Sequence, residues 1–168
     1  MQNSNTRKVI LKKAIEKDFP DLFDLYQDCF QRSSGEAWSK ISLKNTLVQP
    51  TSHVILFYTE EGDAEEKIQK PEGFSILQVL GDEVELLSFG VKYNRQKKGL
   101  GKIFLEKTIS YCRDLEGSKF FLEVDENNKS AICVYEYAGL KITGNRIGYY
   151  KYAGGFRSDA FLMTLHLY

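Results

Sequence analysis

The order of apolar and polar residues along the chain predicts seven strands and four helices. Short apolar or alternating runs favour strands, whereas apolar residues that recur every three or four positions favour helices. The predicted strands are 8–13, 53–59, 73–80, 84–91, 119–124, 140–150 and 160–167. The predicted helices are 19–30, 39–48, 99–115 and 128–137. The order β-α-α-β-β-β-α-β-α-β-β is typical of a mixed α/β sheet, and since no linker or repeat interrupts it, we expect one domain, residues 1–168.

Three local signals refine this outline. The run 84–91 is nearly continuous in apolar residues at its end, as in a central strand buried on both faces. Gly90 inside that run predicts either a bulge or a close approach of another group. Ser39 is a suitable N-cap for the helix that follows it, and either Asn127 or Asn128 is suitable for the last helix. The charged segment 60–72 is predicted to be an exposed hairpin loop.

Composition and charge narrow the class of protein. Of 168 residues, 42% are apolar and 27% are charged, which is the profile of a globular domain. Lys plus Arg and Asp plus Glu number 23 each, so no overall charge favours nucleic acid or a membrane surface. No apolar run approaches the ~20 residues of a membrane span. The first residues, MQNSNTRK, lack the apolar core of a signal peptide, so we expect a cytoplasmic protein.

The cysteines do not predict a metal site or a disulfide. Cys29, Cys112 and Cys133 are odd in number, far apart, and not in metal-ligand spacing. We expect each to be a small buried apolar residue, and we expect no metal.

The candidate chemistry begins in the segment LLSFGVKYNRQKKGLGK, residues 86–102. An apolar strand leads into a glycine- and lysine-rich loop, and the loop opens a helix. The N–H groups of a helix's first turn favour an anion, so this arrangement predicts a phosphate or pyrophosphate site. The ATP-type loop is excluded because Ile103 follows Gly101-Lys102, and the dinucleotide loop is excluded because position 104 is Phe.

Two motifs together resemble a known enzyme family. The loop Q-x-x-G-x-G, residues 96–101, is similar to the acyl-CoA pyrophosphate loop of the GCN5-related N-acetyltransferases. The later segment LEVDENNKSAICVYEYAGL, residues 122–140, has the spacing N-x-x-A-x-x-x-Y found in the same family. The resemblance covers most of the chain. It implies a mixed, mostly antiparallel sheet of about seven strands flanked by about four helices.

The resemblance also implies acetyl-CoA as the acetyl donor and assigns residues to it. The backbone of Phe89 and Val91 would contact the pantetheine arm, and Asn128 would contact CoA, although capping its helix explains Asn128 equally well. The pyrophosphate would be held by Gln96, Lys97, Lys98, Gly99, Leu100, Gly101 and Lys102. The ordinary alternative for this loop is a strand–turn–helix connection with solvated lysines.

For catalysis the resemblance implies that Glu123 is the base and Tyr135 the acid. Tyrosine, with a pKa of about 10, stays protonated at pH 7 and can give its proton to a thiolate whose pKa is about 8.5. The structural alternatives are a strand-end carboxylate paired with a surface lysine for Glu123, and a core aromatic for Tyr135.

Within the family, the likeness is to the branch that acetylates protein N-termini. It rests on Trp38-Ser39, on Tyr149-Tyr150 and on the segment 158–163. It implies an acceptor such as the N-terminal alanine of ribosomal protein S18, with Tyr149 and Tyr150 contacting the peptide. Two departures, Lys151 where the branch usually has Pro and the extra residue Phe156, fall in the same region.

Other acceptor contacts and other functions stay open at this point. Glu83 and Glu85 lie on one face of their strand, where either could hold the acceptor ammonium, act as a second base or be solvated. The acceptor could instead be a polyamine, an amino acid, an aminoglycoside or a lysine side chain. A rival from another class is a non-catalytic acyl-CoA-binding module. We expect no nucleic-acid or membrane partner, and a monomer or weak dimer.

Overall fold

The computed structural model describes residues 8–30, 38–60, 70–152 and 154–168. The strands are β1 (Lys8–Lys13), β2 (Ser52–Glu60), β3 (Gly73–Leu80), β4 (Glu83–Val91), β5 (Lys119–Asp125), β6 (Lys141–Lys151) and β7 (Arg157–His166). The α-helices in these ranges are α1 (Phe19–Phe30), α2 (Lys40–Val48), α3 (Leu100–Asp114) and α4 (Lys129–Tyr137). Short 3-10 turns precede α1 and follow β4.

All seven strands form one sheet in the order β1-β2-β3-β4-β5-β7-β6. Neighbouring strands are antiparallel except β4 and β5, which are parallel. The connection between these two is α3, as a parallel pair requires. The predicted mixed, mostly antiparallel sheet of seven strands with four helices is therefore confirmed.

The parallel pairing of β4 with β5 ends early. It joins four residue pairs, from Glu83 with Lys119 to Leu86 with Leu122. Beyond Leu86, β4 continues to Val91 on β3 alone, and beyond Leu122, β5 continues to Asp125 on β7 alone. The two central strands therefore part at their carboxyl ends and leave an opening within the sheet.

A β-bulge lies in β4 at the point where the strands part. Ile76 of β3 pairs with Ser88 whereas Leu77 pairs with Leu86, so Leu87 is the extra residue. A bulge bends its strand and increases its twist, which turns the end of β4 away from β5. The sequence left a bulge at Gly90 open, and the structure corrects this position to Leu87.

Gly90 instead allows neighbouring groups to approach closely, which was the other role that the sequence predicted for it. A Cβ atom there would lie 2.6 Å from the Phe74 ring and 2.9 Å from the Cys29 sulfur. Phe74 is fully buried, and Cys29 reaches it from α1. Only a residue without a side chain leaves room for α1 to pack this closely on β4.

Two apolar cores lie on opposite faces of the sheet. One joins the sheet to α3 and α4, and its members include Leu86, Leu122, Val124 and Phe104. The other joins the sheet to α1 and α2, and its members include Leu22, Leu43 and Ile76. Alternate residues along a strand face opposite sides, so β2 and β3 contribute residues to both cores.

Most predicted elements agree with the structure within one residue at each end, Ser39 is the cap of α2 as predicted, and of the two asparagines considered for α4 the structure selects Asn128. The Ser39 and Asn128 side chains accept hydrogen bonds from the N–H groups of Ser42 and Ala131, at 3.0 and 3.2 Å. The last strand begins at Arg157, before the predicted 160, because polar residues there pair with β6. The loop predicted at 60–72 lies mostly outside the described residues.

The expectation of buried cysteines is correct for Cys112 only. Cys29 is half-buried and Cys133 is exposed. Cys133 lies on the solvent side of α4, whose buried residues are Ile132 and Tyr135. Among the described residues, no helix is long and apolar enough to cross a membrane.

Replacing Gly90 with Ala is expected to destabilise the fold. The new methyl group would overlap Phe74 and Cys29, and overpacking of this kind costs about 1–3 kcal/mol. The measurement is the free energy of unfolding in urea. The matched control is Gly144→Ala in β6, where the nearest atoms belong to Leu162 at 3.5 Å and no loss is expected. Equal stability of the two variants would contradict the packing account.

Candidate active site

The opening between β4 and β5 presents unpaired strand backbone. The Lys92 N–H donates to the Glu72 carbonyl at 2.8 Å, on the β3 side of the chain. Backbone groups alternate in direction along an antiparallel strand, so those of Val91 and Phe89 face the opening instead. The sequence assigned these two residues to the pantetheine arm; of their backbone groups that face the opening, the Val91 carbonyl accepts a hydrogen bond from Gln96.

The predicted anion loop begins at the end of this strand. Gln96 folds back so that its side-chain amide donates to the Val91 carbonyl at 3.0 Å, which joins the loop to the opening. Lys97 and Gly99 have positive φ angles of 57° and 80°. A non-glycine residue in that region is uncommon and is concentrated at functional sites. The loop then turns sharply into α3 at Leu100.

The start of α3 suits a ligand that approaches the backbone closely. Its N-cap is Gly99, which has no side chain, so no side-chain hydrogen bond from the N-cap reaches the first turn. A Cβ at Gly101 would meet nothing nearer than Val134 and Val91, both at 3.9 Å, so the backbone there is accessible. The N–H groups of the first turn and the positive end of the helix dipole favour an anion at this place.

The lysines of the loop differ in their surroundings. Lys97 and Lys98 are exposed, whereas the Lys102 ammonium lies 3.8 Å from the centre of the Tyr137 ring on α4. This cation–π contact holds Lys102 across the α3–α4 interface. Asn128 acts as the N-cap of α4, which was the structural alternative for that residue.

Glu123 lies directly after the last residue pair that joins β4 to β5. Its side chain is 20% exposed, and the Arg146 guanidinium donates to one of its carboxylate oxygens at 2.5 Å. The partner is therefore an arginine of β6, and the surface lysine considered from the sequence is not involved.

Tyr135 lies in the core formed with α3 and α4 and is 8% exposed. Burial raises its pKa, and the nearby Tyr150 adds to the effect. The phenol therefore keeps its proton at neutral pH.

Glu123 and Tyr135 lie on opposite faces of the sheet. Leu122 and Val124, the neighbours of Glu123, point into the same core as Tyr135. Because side chains alternate along β5, Glu123 points to the other face. A carboxylate and a phenol on the two sides of one opening can serve a reaction in which one group accepts a proton and the other donates one.

A second carboxylate lies on the Glu123 face. Glu85 pairs with Phe121, and Glu123 follows two residues later on the same side of the strand. Burial raises the pKa of Glu85, the Glu123 carboxylate raises it further, and Arg146 acts in the opposite direction. Glu83 lies at the closed end of the strand pair, where its carboxylate binds Lys119 at 3.0 Å. Of the two glutamates that the sequence left open, the structure therefore brings Glu85 close to Glu123 and leaves Glu83 with a surface lysine.

The two predicted acceptor tyrosines border the same face. The Tyr149 ring centre lies 4.2 Å from the Arg146 guanidinium carbon, and its pKa is raised by burial and by Glu123. The Tyr150 hydroxyl donates to the Glu123 backbone carbonyl at 3.5 Å, which connects β6 to β5. Burial raises the pKa of Tyr150 to about 12, so it too stays protonated.

An irregularity in β6 sets the position of Arg146 and Tyr149. Arg146 pairs with Ala160 and Tyr150 pairs with Ser158, so three residues of β6 lie opposite the single residue Asp159. The Asp159 carboxylate accepts from the Gly148 N–H at 2.8 Å and from the Asn145 amide at 3.0 Å. Asp159 therefore fixes the bulged part of the strand.

Sequence reasoning missed Arg146 and Asp159. Arg146 is the one arginine in the predicted strand 140–150, and Asp159 lies in the segment 158–163 that carried part of the resemblance. Their roles follow from the register of β6 on β7, which no local pattern indicates.

The sequence model of the acetyltransferase (GNAT) family matches residues 19–140. The chain belongs to this family. The matched region runs from α1 to the residue before β6, and it includes the opening, the anion loop, Glu123 and Tyr135. The family predicted from the two motifs is therefore confirmed.

Comparison with individual proteins finds relatives that are named as N-acetyltransferases of a ribosomal protein. The ribosomal protein bS18-alanine N-acetyltransferase of Haemophilus ducreyi is 29% identical over 158 residues, which are 94% of this chain and 100% of that protein. The protein of the same name from Escherichia coli is 35% identical over 96 residues, and these span 57% of this chain and 64% of that protein.

A solved structure agrees over nearly the whole chain. The crystal structure of the ribosomal-protein-S18-alanine N-acetyltransferase from Escherichia coli superposes with a TM-score of 0.79 at 26% identity. It covers 95% of this chain and 94% of that one. The likeness therefore includes β6 and β7, which lie beyond the family match.

Replacing Asp159 with Asn is expected to lower stability in a pH-dependent manner. Hydrogen bonds from Gly148 and Asn145 lower the pKa of Asp159 below its usual 3.8. A lowered folded-state pKa contributes stability above the unfolded-state value and loses it as the pH falls through the folded-state value. The wild type should therefore exceed Asp159→Asn in urea midpoint by a constant amount from pH 7 to pH 5, and the difference should shrink below about pH 4. A difference that is unchanged in acid would contradict this account.

Proposed function

We propose that the protein transfers an acetyl group from acetyl-CoA to a primary amine, and that this amine is the N-terminal α-amine of a protein such as ribosomal protein S18. The observation that carries the proposal is the opening between β4 and β5, where Glu123 directly follows the last residue pair and β4 leads into the anion loop, with Tyr135 in the core on the other face of the sheet. The family match and the bS18-alanine N-acetyltransferases among the relatives support it.

The donor site in this proposal is the loop together with the parted strands. The first turn of α3 and the backbone of the loop from Gln96 to Lys102 would bind the pyrophosphate. The backbone groups of Phe89 and Val91 would pair with the amides of the pantetheine arm, as another strand would. In this proposal the thioester would lie between Glu123, which directly follows the last residue pair of the ladder, and Tyr135.

The catalytic step needs one proton removed and one supplied. Glu123 takes the proton of the acceptor amine, directly or through a water molecule, as the nitrogen bonds to the thioester carbonyl carbon. As the carbon–sulfur bond breaks, Tyr135 gives its proton to the sulfur. An N-terminal amine has a pKa of about 7.7–8.0, so a sizeable neutral fraction exists near pH 7. An amine in that neutral form can attack without first losing a proton to the base.

The acceptor side in this proposal is the Glu123 face of the sheet. Tyr149 and Tyr150 border it and carry the aromatic surface on which the first residues of a peptide would lie. Since the proposed acceptor belongs to the ribosome, we also propose that the protein acts in the cytoplasm.

The defining experiment measures CoA release from acetyl-CoA together with mass-spectrometric mapping of the product. The acceptors are an S18-like peptide that begins with Ala, the same peptide with a blocked N-terminus and a free lysine, and spermidine. We expect acetylation at the free Ala amine only. Turnover of the blocked peptide or of spermidine alone would keep the chemistry and overturn the acceptor, whereas acetyl-CoA binding with no turnover would favour the non-catalytic module.

Substitution of the two proposed catalytic residues should lower kcat. Glu123→Gln and Tyr135→Phe keep the side-chain shape and remove the proton-transfer group, which typically contributes about 10²–10⁴-fold in rate. The measurement is kcat with the Ala peptide at saturating acetyl-CoA. Glu136→Gln, at an exposed position of α4, is the matched control and should keep the wild-type rate. If Glu123→Gln kept the control's kcat, the assignment of the base would be wrong.

Binding of the donor should stabilise the fold. A ligand that binds only the folded state at 100 times its Kd adds about 2.7 kcal/mol to the free energy of unfolding. We expect acetyl-CoA to raise the melting temperature and inorganic pyrophosphate to compete with it, because both would occupy the first turn of α3. An unchanged melting temperature at millimolar acetyl-CoA would contradict the proposed donor site.

A further inference from the structure

We propose that Arg146 selects the acceptor: it favours an amine with a carbonyl group nearby, as in a peptide, and it disfavours an amine with a second positive charge, as in a polyamine. This inference rests on the proposed function and specifies the acceptor class of the same site. Arg146 was not among the residues that the motifs pointed to.

The position of Arg146 places its charge at the acceptor face. Arg146 pairs with Ala160, and Ala160 pairs with Asp125, which lies two residues after Glu123. Paired residues share a face, so the Arg146 and Glu123 side chains meet on the same side of the sheet. The side chain is 56% exposed, whereas that of Glu123 is 20% exposed, so the guanidinium covers the carboxylate from the solvent side.

The charges around Arg146 define which cation can enter. Among the described residues, the charged groups that act on the Arg146 guanidinium are Glu123 and Glu85. Arg146 occupies one oxygen of Glu123, which leaves Glu85 as the carboxylate not paired by it. One carboxylate suits one ammonium group. A second ammonium a few bonds away would approach the guanidinium, and like charges at close range repel.

The hydrogen-bonding capacity of Arg146 favours a peptide. A guanidinium has five N–H donors in a planar fork, and a single contact to Glu123 uses one nitrogen of that fork. The Tyr149 ring lies against the guanidinium and fixes its plane. In a peptide acceptor, a carbonyl oxygen lies two bonds from the carbon that bears the reacting amine, within reach of the remaining donors. Polyamines have no acceptor group at that place.

The test compares two acceptors in matched variants. The variants are Arg146→Gln, which removes the charge, Arg146→Lys, which keeps the charge without the fork, and Lys141→Gln, which removes an exposed charge elsewhere on β6. The readouts are kcat/KM for the Ala peptide and the inhibition constant of spermidine against that peptide. The inhibition constant reports polyamine binding whether or not spermidine is acetylated.

We expect Arg146→Gln to lower kcat/KM for the peptide and to tighten spermidine inhibition, so that the selectivity shifts by about tenfold or more. Arg146→Lys should keep spermidine excluded and still lose affinity for the peptide, seen as a raised KM. Lys141→Gln should match the wild type. Melting temperatures confirm that the variants are folded.

Two results would overturn the inference. If Arg146→Gln left both kcat/KM for the peptide and the spermidine inhibition constant within twofold of the wild type, Arg146 would not select the acceptor. If it lowered kcat with no change in the spermidine constant, its role would be limited to holding Glu123. Failure of the proposed function is distinguishable from both, because the wild-type protein would then not acetylate the Ala peptide at all.

Discussion

The early end of the pairing between β4 and β5 is the constraint on which the rest of the site depends. A parallel pair in the middle of a sheet normally runs the length of both strands, because each unpaired N–H or carbonyl group that is shielded from water is unfavourable. Here the ladder stops after Leu86 and Leu122, and the bulge at Leu87 turns β4 away. The sheet survives the gap because β3 and β7 hold the two separated ends from outside.

In the proposed function, this gap is what would let acetyl-CoA and the acceptor amine meet within the sheet. A sheet separates space into two sides, and side chains on neighbouring positions of one strand reach different sides. Tyr135 belongs to the side of α3 and α4, and Glu123 belongs to the other. In the proposed function, the opening is the place where groups from both sides would reach the same atoms.

The sequence predicted the features that are local and missed those that depend on register. The strands, the helices, Ser39 and Asn128 as caps, and the loop before α3 follow from short-range patterns and motifs, and the structure agrees with them. Alternation alone could not distinguish Glu83 from Glu85, because both point to one face. The parallel register of β4 on β5 decides between them.

The Arg146–Glu123 contact could not be predicted from the sequence for the same reason. It needs the pairing of β6 on β7 across three bulged residues, and this pairing depends on Asp159. Cys133 shows a different failure. Cysteine is usually buried, but the exposure of a residue in α4 depends on its position around the helix. Ile132 and Tyr135 occupy the buried side of α4, so Cys133 faces solvent.

The hairpin of β6 and β7 has a consequence for how such a protein can diversify. The family match ends at residue 140, and the hairpin begins at residue 141. Within the described sheet the hairpin pairs with the remaining strands through the β5–β7 ladder, and side-chain contacts such as that of Arg146 with Glu123 add to it. Residues of β6, which is the outer strand, can therefore change without disturbing the donor loop or either apolar core. In the proposed function β6 borders the acceptor face, so a lineage that retains the same 19–140 unit could acquire new acceptors by substitutions in this one hairpin.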